Sequence, residues 1–445
     1  MNPDVIRRNA GPAPRYTSYP TAPQFSPSIG ADVYGGWLAA LKPDARISLY
    51  AHIPFCQEMC WYCACNTKAV RRYEPVADYL GYLVKEIGLV AGRMPKGPVV
   101  SHVHWGGGSP SMLKADDIGR LAGAMRQHFA FSAETEFAVE VDPRLLDTDS
   151  IAAFAAAGVN RVSIGVQDFD PAVQKAINRI QTREITESAI TQFRGHGIPS
   201  INIDLVYGLP MQTVESVGRT LSEVLAMRPD RLAVFGYAHV PAKAVAQKMI
   251  DETTIAGPEE RMAQFRRITE IAQEAGYRQI GIDHFALPGD LLATKPLRRN
   301  FQGYTTDDSD AIIGFGDSAI GQMPEGYIQN TVPTGDYQRR IGEGRLATAR
   351  GFRLSEDDRM RAHVIERLMC DFAFSRAGLV ARFGTKAAPI VAEAAKVAAE
   401  DADGFIEPTA DGFRLTADGR TFVRKVCQRF DAYWGQGSAT HAIAV

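Results

Sequence analysis

Four of the six cysteines fall within ten residues, inside the stretch YAHIPFCQEMCWYCACN from Tyr50 to Asn66. Cys56, Cys60 and Cys63 have the spacing C-x3-C-x2-C, and Cys65 follows two residues later. Thiolates packed this closely on a loop can wrap one face of a [4Fe–4S] cube. Three of them leave the fourth iron open to a small molecule. The alternatives need other surroundings. Disulfides form in oxidising compartments, and nothing in the chain suggests export. Zinc, the alternative metal, takes two separated cysteine knuckles or Cys/His pairs. His52 is the one histidine nearby, and its place near a strand end suits packing.

Other polar groups recur at regular intervals along the chain. HWGGGSPSML (His104 to Leu113) offers three glycines whose backbone can expose amides and approach a ligand closely. EVDP (Glu140 to Pro143) carries a carboxylate able to accept from ribose hydroxyls or an amine. GVQDF (Gly165 to Phe169), Asn178–Arg179, DLVYGLPMQT (Asp204 to Thr213) and YAHVP (Tyr237 to Pro241) follow.

The elements that must position them alternate. Strand-like runs are expected at Ile47–Pro54, Val99–Trp105, Glu136–Val141, Arg161–Val166, Ile201–Val206 and Leu232–Tyr237. Helical periodicity falls between them, best seen where Pro75 opens a turn and Val76, Tyr79, Leu80, Leu83, Val84, Ile87 and Val90 recur at helical spacing. Further helices are expected near 116–129, 149–157, 184–195 and 214–227, with Gly158 and Gly197 as C-terminal caps. Six βα units imply parallel strands with right-handed crossovers, as a partial barrel or a doubly wound sheet. Each polar group falls just past a strand, where such folds gather their chemistry.

Residues 1 to about 35 are rich in Pro, Gly and Tyr and predict an extended arm, folded over the site as a lid around RYTSYPTAPQF (Arg15 to Phe25). A helix is expected over Glu259–Ala275. From about Ser355, helices near 355–375 and 388–400 precede two short strands turning at Asp411-Gly412 and a last helix from Thr416 to Trp434. With 445 residues, 45% of them hydrophobic, the chain can bury a large core. Its formal net charge of −2 argues against nucleic acid or an anionic membrane surface as main partner. No apolar run reaches the roughly 18 residues of a membrane span. The start has no apolar signal core, and a reducing cytoplasmic location is expected, with a monomer as the default. Cys370 and Cys427 lie in helical patterns and are expected to be buried.

C-x3-C-x2-C after a strand resembles the radical S-adenosylmethionine (SAM) enzymes. The fuller string YAHIPFC…CxxCxCN resembles the oxygen-independent coproporphyrinogen III oxidase family of haem biosynthesis, as do RYTSYPT, GVQDF, YAHVP and RNFQGYTT. The resemblance implies a partial (β/α)6 TIM-like barrel of the radical SAM type, with a mainly helical, winged-helix-like C-terminal domain. Its divisions would be 1–35, 36–350 and 351–445. It implies that Cys56, Cys60 and Cys63 bind the cluster. Tyr50, Gly107, Glu140 and Ile320 would contact the SAM on the open iron. Tyr62, Gly108, Ser109, Gln167, Arg179, Asp204 and Ala238 would hold a second SAM. Ser109 stands where the family usually has threonine and Tyr62 where it has phenylalanine. Cys65 would lie near the reaction centre without binding the cluster. The implied activity is oxidative decarboxylation of two propionates of coproporphyrinogen III to vinyl groups, giving protoporphyrinogen IX. It needs an electron donor and an acceptor, neither identified by the sequence. Arg15, Arg298 and Arg299 are candidate partners for the substrate's carboxylates. A related haem-binding chaperone is the rival reading, but that group resembles this chain less, lacking both the Cys65 position and the long arm. Another tetrapyrrole-acting radical SAM enzyme is the second rival.

Overall fold

The computed structural model describes residues 2–436. Six parallel strands follow one another in space in the order of the chain: β1 (Arg46–Ile53), β2 (Val99–Gly107), β3 (Ala130–Val141), β4 (Arg161–Gln167), β5 (Ser200–Tyr207) and β6 (Arg231–Gly236). Between them run the helices Glu74–Ala91, Ala115–His128, Thr148–Ala156, Arg183–Gly195 and Val214–Ala226. The six expected strands are all present and their ends shift by only a residue or two, except that β3 starts six residues early. β1 shows why they were legible. Ile47, Leu49, Ala51 and Ile53 are buried, as are Ser48 and His52 on the other face, the signature of a strand covered on both sides.

The sheet does not stop at six. β7 (Ala311–Phe315) pairs parallel with β1 on the side away from β2, with Tyr50 opposite Gly314. It continues antiparallel through β8 (Ile320–Met323), β9 (Gly326–Asn330) and β10 (Thr348–Arg353). At the other edge, His284–Ala286 pairs antiparallel with β6 and then with Arg278–Ile280. The twelve strands form one open sheet, so the barrel is partial, as the resemblance implied, and not closed.

The helix Glu74–Ala91 fastens this extension to the barrel. Val76, Tyr79, Leu80, Leu83, Ile87 and Val90 bury its apolar stripe, and Glu86 is buried on the same face. Its carboxylate accepts from Gly316 N at 2.7 Å, Tyr337 Oη at 2.8 Å and Asn330 Nδ2 at 2.7 Å. Donors on three separate segments satisfy the buried carboxyl and fix the β7–β9 corner.

A second core joins the two ends of the chain. Ile6, Ala10, Tyr16 and Tyr19 pack with Val364, Leu368, Phe374, Phe413, Phe422 and Phe430. The N-terminal segment is therefore not simply extended. Asn2 Oδ1 accepts from Asp4 N and Pro3 occupies the first turn of a helix, Pro3–Asn9, while a longer helix begins at Ala31. After Ser355 caps the helix Glu356–Asp371, a three-stranded sheet (Ala373–Ser375, Ile406–Thr409, Gly412–Leu415) frames the expected hairpin. The last helix divides. Thr416 caps Ala417–Thr421, Phe422 leaves helical geometry to fill the core, and Val423–Gln428 follows. Cys370 and Cys427 are buried. Among the described residues no helix is long and apolar enough to cross a membrane.

Candidate active site

The cysteine loop leaves the carboxyl end of β1 and is tied at its base. Phe55–Cys56 pairs parallel with Lys68–Ala69, Lys68 N donates to Pro54 O, and Val70 N donates to Cys56 O, each at 2.9 Å. Its far side is held by the segment after β4: Trp61 N donates to Ile177 O at 2.9 Å and Asn178 Nδ2 to Met59 O at 2.9 Å. Cys60 is buried, Cys56 and Cys63 half-buried, and Cys65 exposed.

Donors converge on the sulfurs. Arg179 Nη1 lies 3.6 Å from Cys60 Sγ and Arg144 Nη2 4.0 Å from it, and both guanidiniums pair with Asp142. Thr67 Oγ1 is 3.2 Å from Cys56 Sγ. Burial pushes the Cys56 thiol up to about 11, so it needs a strong electrophile to serve as a thiolate at neutral pH. Cys65 N donates to Cys63 Sγ at 3.4 Å, and the contact with Cys65 holds the Cys63 thiol below its ordinary value while it pushes Cys65 up. No three His, Cys, Asp or Glu side chains among the described residues close around one point as a single ion requires. Three thiols spread round one loop, with cations aimed at sulfur, fit a polynuclear cluster. Ser109 Oγ and Arg179 Nε are also buried here without a hydrogen-bond partner in the protein. Polar groups left in that state are suited to a bound cofactor.

The glycine triplet does something other than present free amides. Gly107 N donates to Glu140 Oε2 at 3.2 Å, Gly108 N to Ile53 O at 2.8 Å and Ser109 N to Phe55 O at 2.8 Å. What the glycines supply is room. A Cβ on Gly106 would sit 2.7 Å from Glu140 Cδ, one on Gly107 2.6 Å from His52 Nδ1, and one on Gly108 2.7 Å from Phe55 N and Phe55 O. The triplet lets the end of β2 close on the base of the cysteine loop.

Around this junction the expected residues assemble. Tyr50 Oη is 3.0 Å from His52 Nδ1, and the Tyr50 ring stacks on His104. Gly314, opposite Tyr50, stands between it and Ile320 of the next strand, whose carbonyl is 2.8 Å from where a Cβ on Gly314 would be. Glu140 accepts from His104 Nε2 at 2.9 Å. Burial alone would raise its carboxyl, but His104 and the Gly107 amide hold it below the usual carboxylate range. Gln167 has φ +72 at a bulge in β4, and its Nε2 and Arg179 Nη2 both crowd Gly165. Arg179 Nη2 also donates to Gly165 O at 2.6 Å, and Tyr62 shares its electrostatic environment. Glu140 and Asp204 line one small cavity inside the barrel, about 100 Å³. Burial pushes Asp204 up to about 6 although Ser163 and Asn202 donate to it.

Sequence reasoning missed several partners. Gln247, almost wholly buried, donates through Nε2 to Tyr62 O at 2.8 Å and Ala238 O at 2.9 Å, so it ties the cysteine loop to the segment after β6. Asp317 accepts from Asn66 Nδ2 at 3.2 Å and from Thr334 Oγ1, anchoring the loop's exit. Asp142 sits within the quoted EVDP stretch and Arg144 directly follows it, where a run of charges at a strand end was the available signal. Arg298 goes elsewhere, pairing with Glu366 of the C-terminal helix at 3.1 Å.

A cysteine loop over the carboxyl ends of consecutive parallel strands defines a radical SAM protein, and the Radical SAM superfamily model matches residues 50–224. A second model, the HemN C-terminal domain, matches residues 354–422. The oxygen-independent coproporphyrinogen III oxidase of Bradyrhizobium diazoefficiens is 47% identical over 436 residues, 97% of each chain. That of Escherichia coli is 39% identical over 441 residues, 97% of this chain and 95% of its own. The solved structure of coproporphyrinogen III oxidase (HemN) from Escherichia coli, described there as a radical SAM enzyme, superposes with a TM-score of 0.90 at 39% identity, over 94% of this chain and 97% of its own. The chain belongs to the oxygen-independent coproporphyrinogen III oxidase family.

Proposed function

We infer that this protein converts coproporphyrinogen III to protoporphyrinogen IX without oxygen, releasing two molecules of carbon dioxide as two propionates become vinyl groups. The observation that carries the reading is the Cys56–Cys60–Cys63 loop at the carboxyl ends of the strands, in a chain that matches the named oxidases over nearly its whole length. When bound, a [4Fe–4S] cluster and SAM supply one-electron cleavage of SAM and a carbon radical able to remove hydrogen from an unactivated carbon.

The chain's part is to hold, orient and exclude. Cys56, Cys60 and Cys63 would hold the cluster, with Arg179 and Arg144 offsetting negative charge on sulfur. Tyr50, Gly107, Glu140 and Ile320 would face a first SAM. Glu140, kept ionised by His104, suits a cationic or hydroxyl-bearing ligand. Tyr62, Gly108, Ser109, Gln167, Arg179, Asp204 and Ala238 would accommodate a second SAM, with Gln247 bridging Tyr62 and Ala238. Cys65 would act at the substrate rather than the metal; its exposure supports that role. The electron donor and acceptor would reach the chain from outside.

Anaerobic incubation of iron-reconstituted protein with dithionite, SAM and coproporphyrinogen III tests this. Protoporphyrinogen and carbon dioxide in a 1:2 ratio are expected. Iron binding and SAM cleavage with no porphyrin product would overturn the substrate assignment.

A further inference from the structure

The reaction inferred above takes electrons one at a time from outside the chain, and they must cross its surface close to the three thiols. The sides of the cysteine loop differ in what covers them. Cys60 is buried, with Arg144 and Arg179 against its sulfur. The stretch around Trp61 and Tyr62 is tied to Ile177 and Gln247, and the exit at Asn66 is held by Asp317. On the Cys56 side the cover is one short strand. Phe55–Cys56 pairs with Lys68–Ala69, and both of those residues are exposed. A single strand spacing, about 4.8 Å, therefore lies between the Cys56 backbone and a solvent-exposed neighbour.

This side carries unpaired positive charge. From Asn66 to Tyr73 the chain reads NTKAVRRY, three cations and no acid, in a protein whose formal net charge is −2. Val70 N donates to Cys56 O at 2.9 Å, and Arg71 and Arg72 follow at once. Both are exposed, and neither side chain makes a hydrogen bond, ion pair or ring contact among the described residues. Exposed arginines elsewhere hold carboxylates, as Arg7 does Glu259, Arg339 does Asp336 and Arg345 does Glu343. Lys114 joins the pair from the other flank of the loop's base. Ser109 N donates to Phe55 O at 2.8 Å, which draws the chain after β2 alongside, and Lys114 Nζ stands 4.4 Å over the ring of Tyr73. The acids of these segments are Glu58, Glu74, Asp116 and Asp117. Asp117 accepts from Tyr73 Oη and lies 3.9 Å from Arg120, while Lys68 donates to Thr334 Oγ1 at 2.5 Å. No ion pair among the described residues engages Arg71, Arg72 or Lys114.

Such a face suits a brief encounter with an acidic surface. Complementary charge steers the approach, and guanidiniums take carboxylates in charge-assisted hydrogen bonds. None of the exposed large apolar side chains comes from residues 66–74 or 108–120, so nothing here favours a permanent apolar interface.

We propose that Arg71, Arg72 and Lys114 form the docking face for a small acidic protein that carries one electron at a time, and that the electron enters beside Cys56. The reduced carrier loses one electron, the cluster gains it, and no atom changes hands. The need for that electron rests on the functional reading above.

Full-length protein, as the cluster-free chain and as the reconstituted enzyme, carries the test, with an acidic flavodoxin and an acidic ferredoxin as probes. Arg71→Glu/Arg72→Glu should weaken binding to the cluster-free chain by about tenfold or more at low salt. Lys114→Gln should lose several-fold, and Arg71→Lys/Arg72→Lys should bind nearly as wild type. Wild-type affinity should fall as salt rises, and that of Arg71→Glu/Arg72→Glu should change little. Lys386→Glu/Lys396→Glu, exposed on the C-terminal domain, alters net charge equally and should bind as wild type. In reconstituted enzyme, carrier-driven SAM cleavage should fall in step with affinity, while iron content and dithionite-driven SAM cleavage stay at the wild-type level. The probe held more tightly by wild type supports its own class of carrier, flavin or iron–sulfur. Equal binding by wild type and Arg71→Glu/Arg72→Glu overturns the face, as does a wild type that binds neither probe. An equal loss in Lys386→Glu/Lys396→Glu reduces the effect to net charge and overturns it too. Carrier-driven SAM cleavage that yields no porphyrin product from coproporphyrinogen III would sink the functional reading and leave the docking face supported.

Discussion

Replacing Gly107 by alanine separates two costs that are usually entangled. Gly107 has φ +114, where an L residue is strained, and a Cβ there would stand 2.6 Å from His52 Nδ1 and 2.7 Å from His52 Cε1. The imidazole has nowhere to go. Its Nε2 is fixed 3.0 Å from Asn66 O and its Nδ1 3.0 Å from Tyr50 Oη, and the residue is 6% exposed. Gly197 is the matched control, with φ +83 and nothing within 4 Å of its added Cβ. Gly197→Ala should cost about 1–2 kcal/mol from backbone strain alone. Gly107→Ala should cost that plus about 1–3 kcal/mol of overpacking, roughly 2–5 kcal/mol in total. The assay is the denaturant midpoint of cluster-free protein at unchanged slope, with iron retained per chain after reconstitution as a second readout. Adding His52→Ala to Gly107→Ala should restore the packing part, a coupling of about 1–3 kcal/mol. Equal costs at the two glycines, or an absence of coupling to His52, would refute the argument that the triplet exists to admit its neighbours.

Burial pushes the Glu86 carboxyl up to about 7, against an ordinary 4.5. The folded chain therefore keeps that proton where the unfolded chain has lost it, and stability falls as pH rises from 4.5 toward 7, by roughly 3 kcal/mol. Thermal midpoints across that window should show the fall in wild type and a flatter profile in Glu86→Gln. Arg231, 4% exposed, grips Asp290 through Nε at 2.8 and 2.7 Å, so Arg231→Ala should destabilise by about 3–5 kcal/mol in chemical denaturation. Gln247→Ala strips the donor from Tyr62 O and Ala238 O and should cost about 1–3 kcal/mol, with weaker SAM binding by equilibrium dialysis. Serine at Cys56, Cys60 or Cys63 should abolish iron retention, whereas Cys65→Ser should keep iron and lose turnover.

The barrel was legible because each parallel strand is a short, continuous apolar run set off by a helix of clear period. β7 to β10 were not. AIIGF in β7 is five residues long, and its partner β1 lies far away in sequence, so nothing local marks it as a neighbour of the cysteine loop. The cysteine spacing could be read directly, since it is local chemistry. The glycine triplet could be found but not interpreted, because the sequence does not tell whether a missing side chain makes room for a ligand or for His52, Glu140 and Phe55. Gln247 sits in a short 3-10 turn, Val245–Met249, with no periodicity to single it out. The final helix was overextended because Phe422 reads as one more apolar position, although it breaks the helix to reach the second core.

The pairing of β1 with β7 carries a consequence for biogenesis. A ribosome delivers β1, the cysteine loop and β2 early, but Gly314, which flanks Tyr50, and Asp317, which secures Asn66, emerge only after β3 to β6 are complete. One flank of the loop therefore stays uncovered through most of synthesis. Iron and sulfide delivered to the nascent chain would meet the thiols from that flank, and the arriving β7 would then close it behind them.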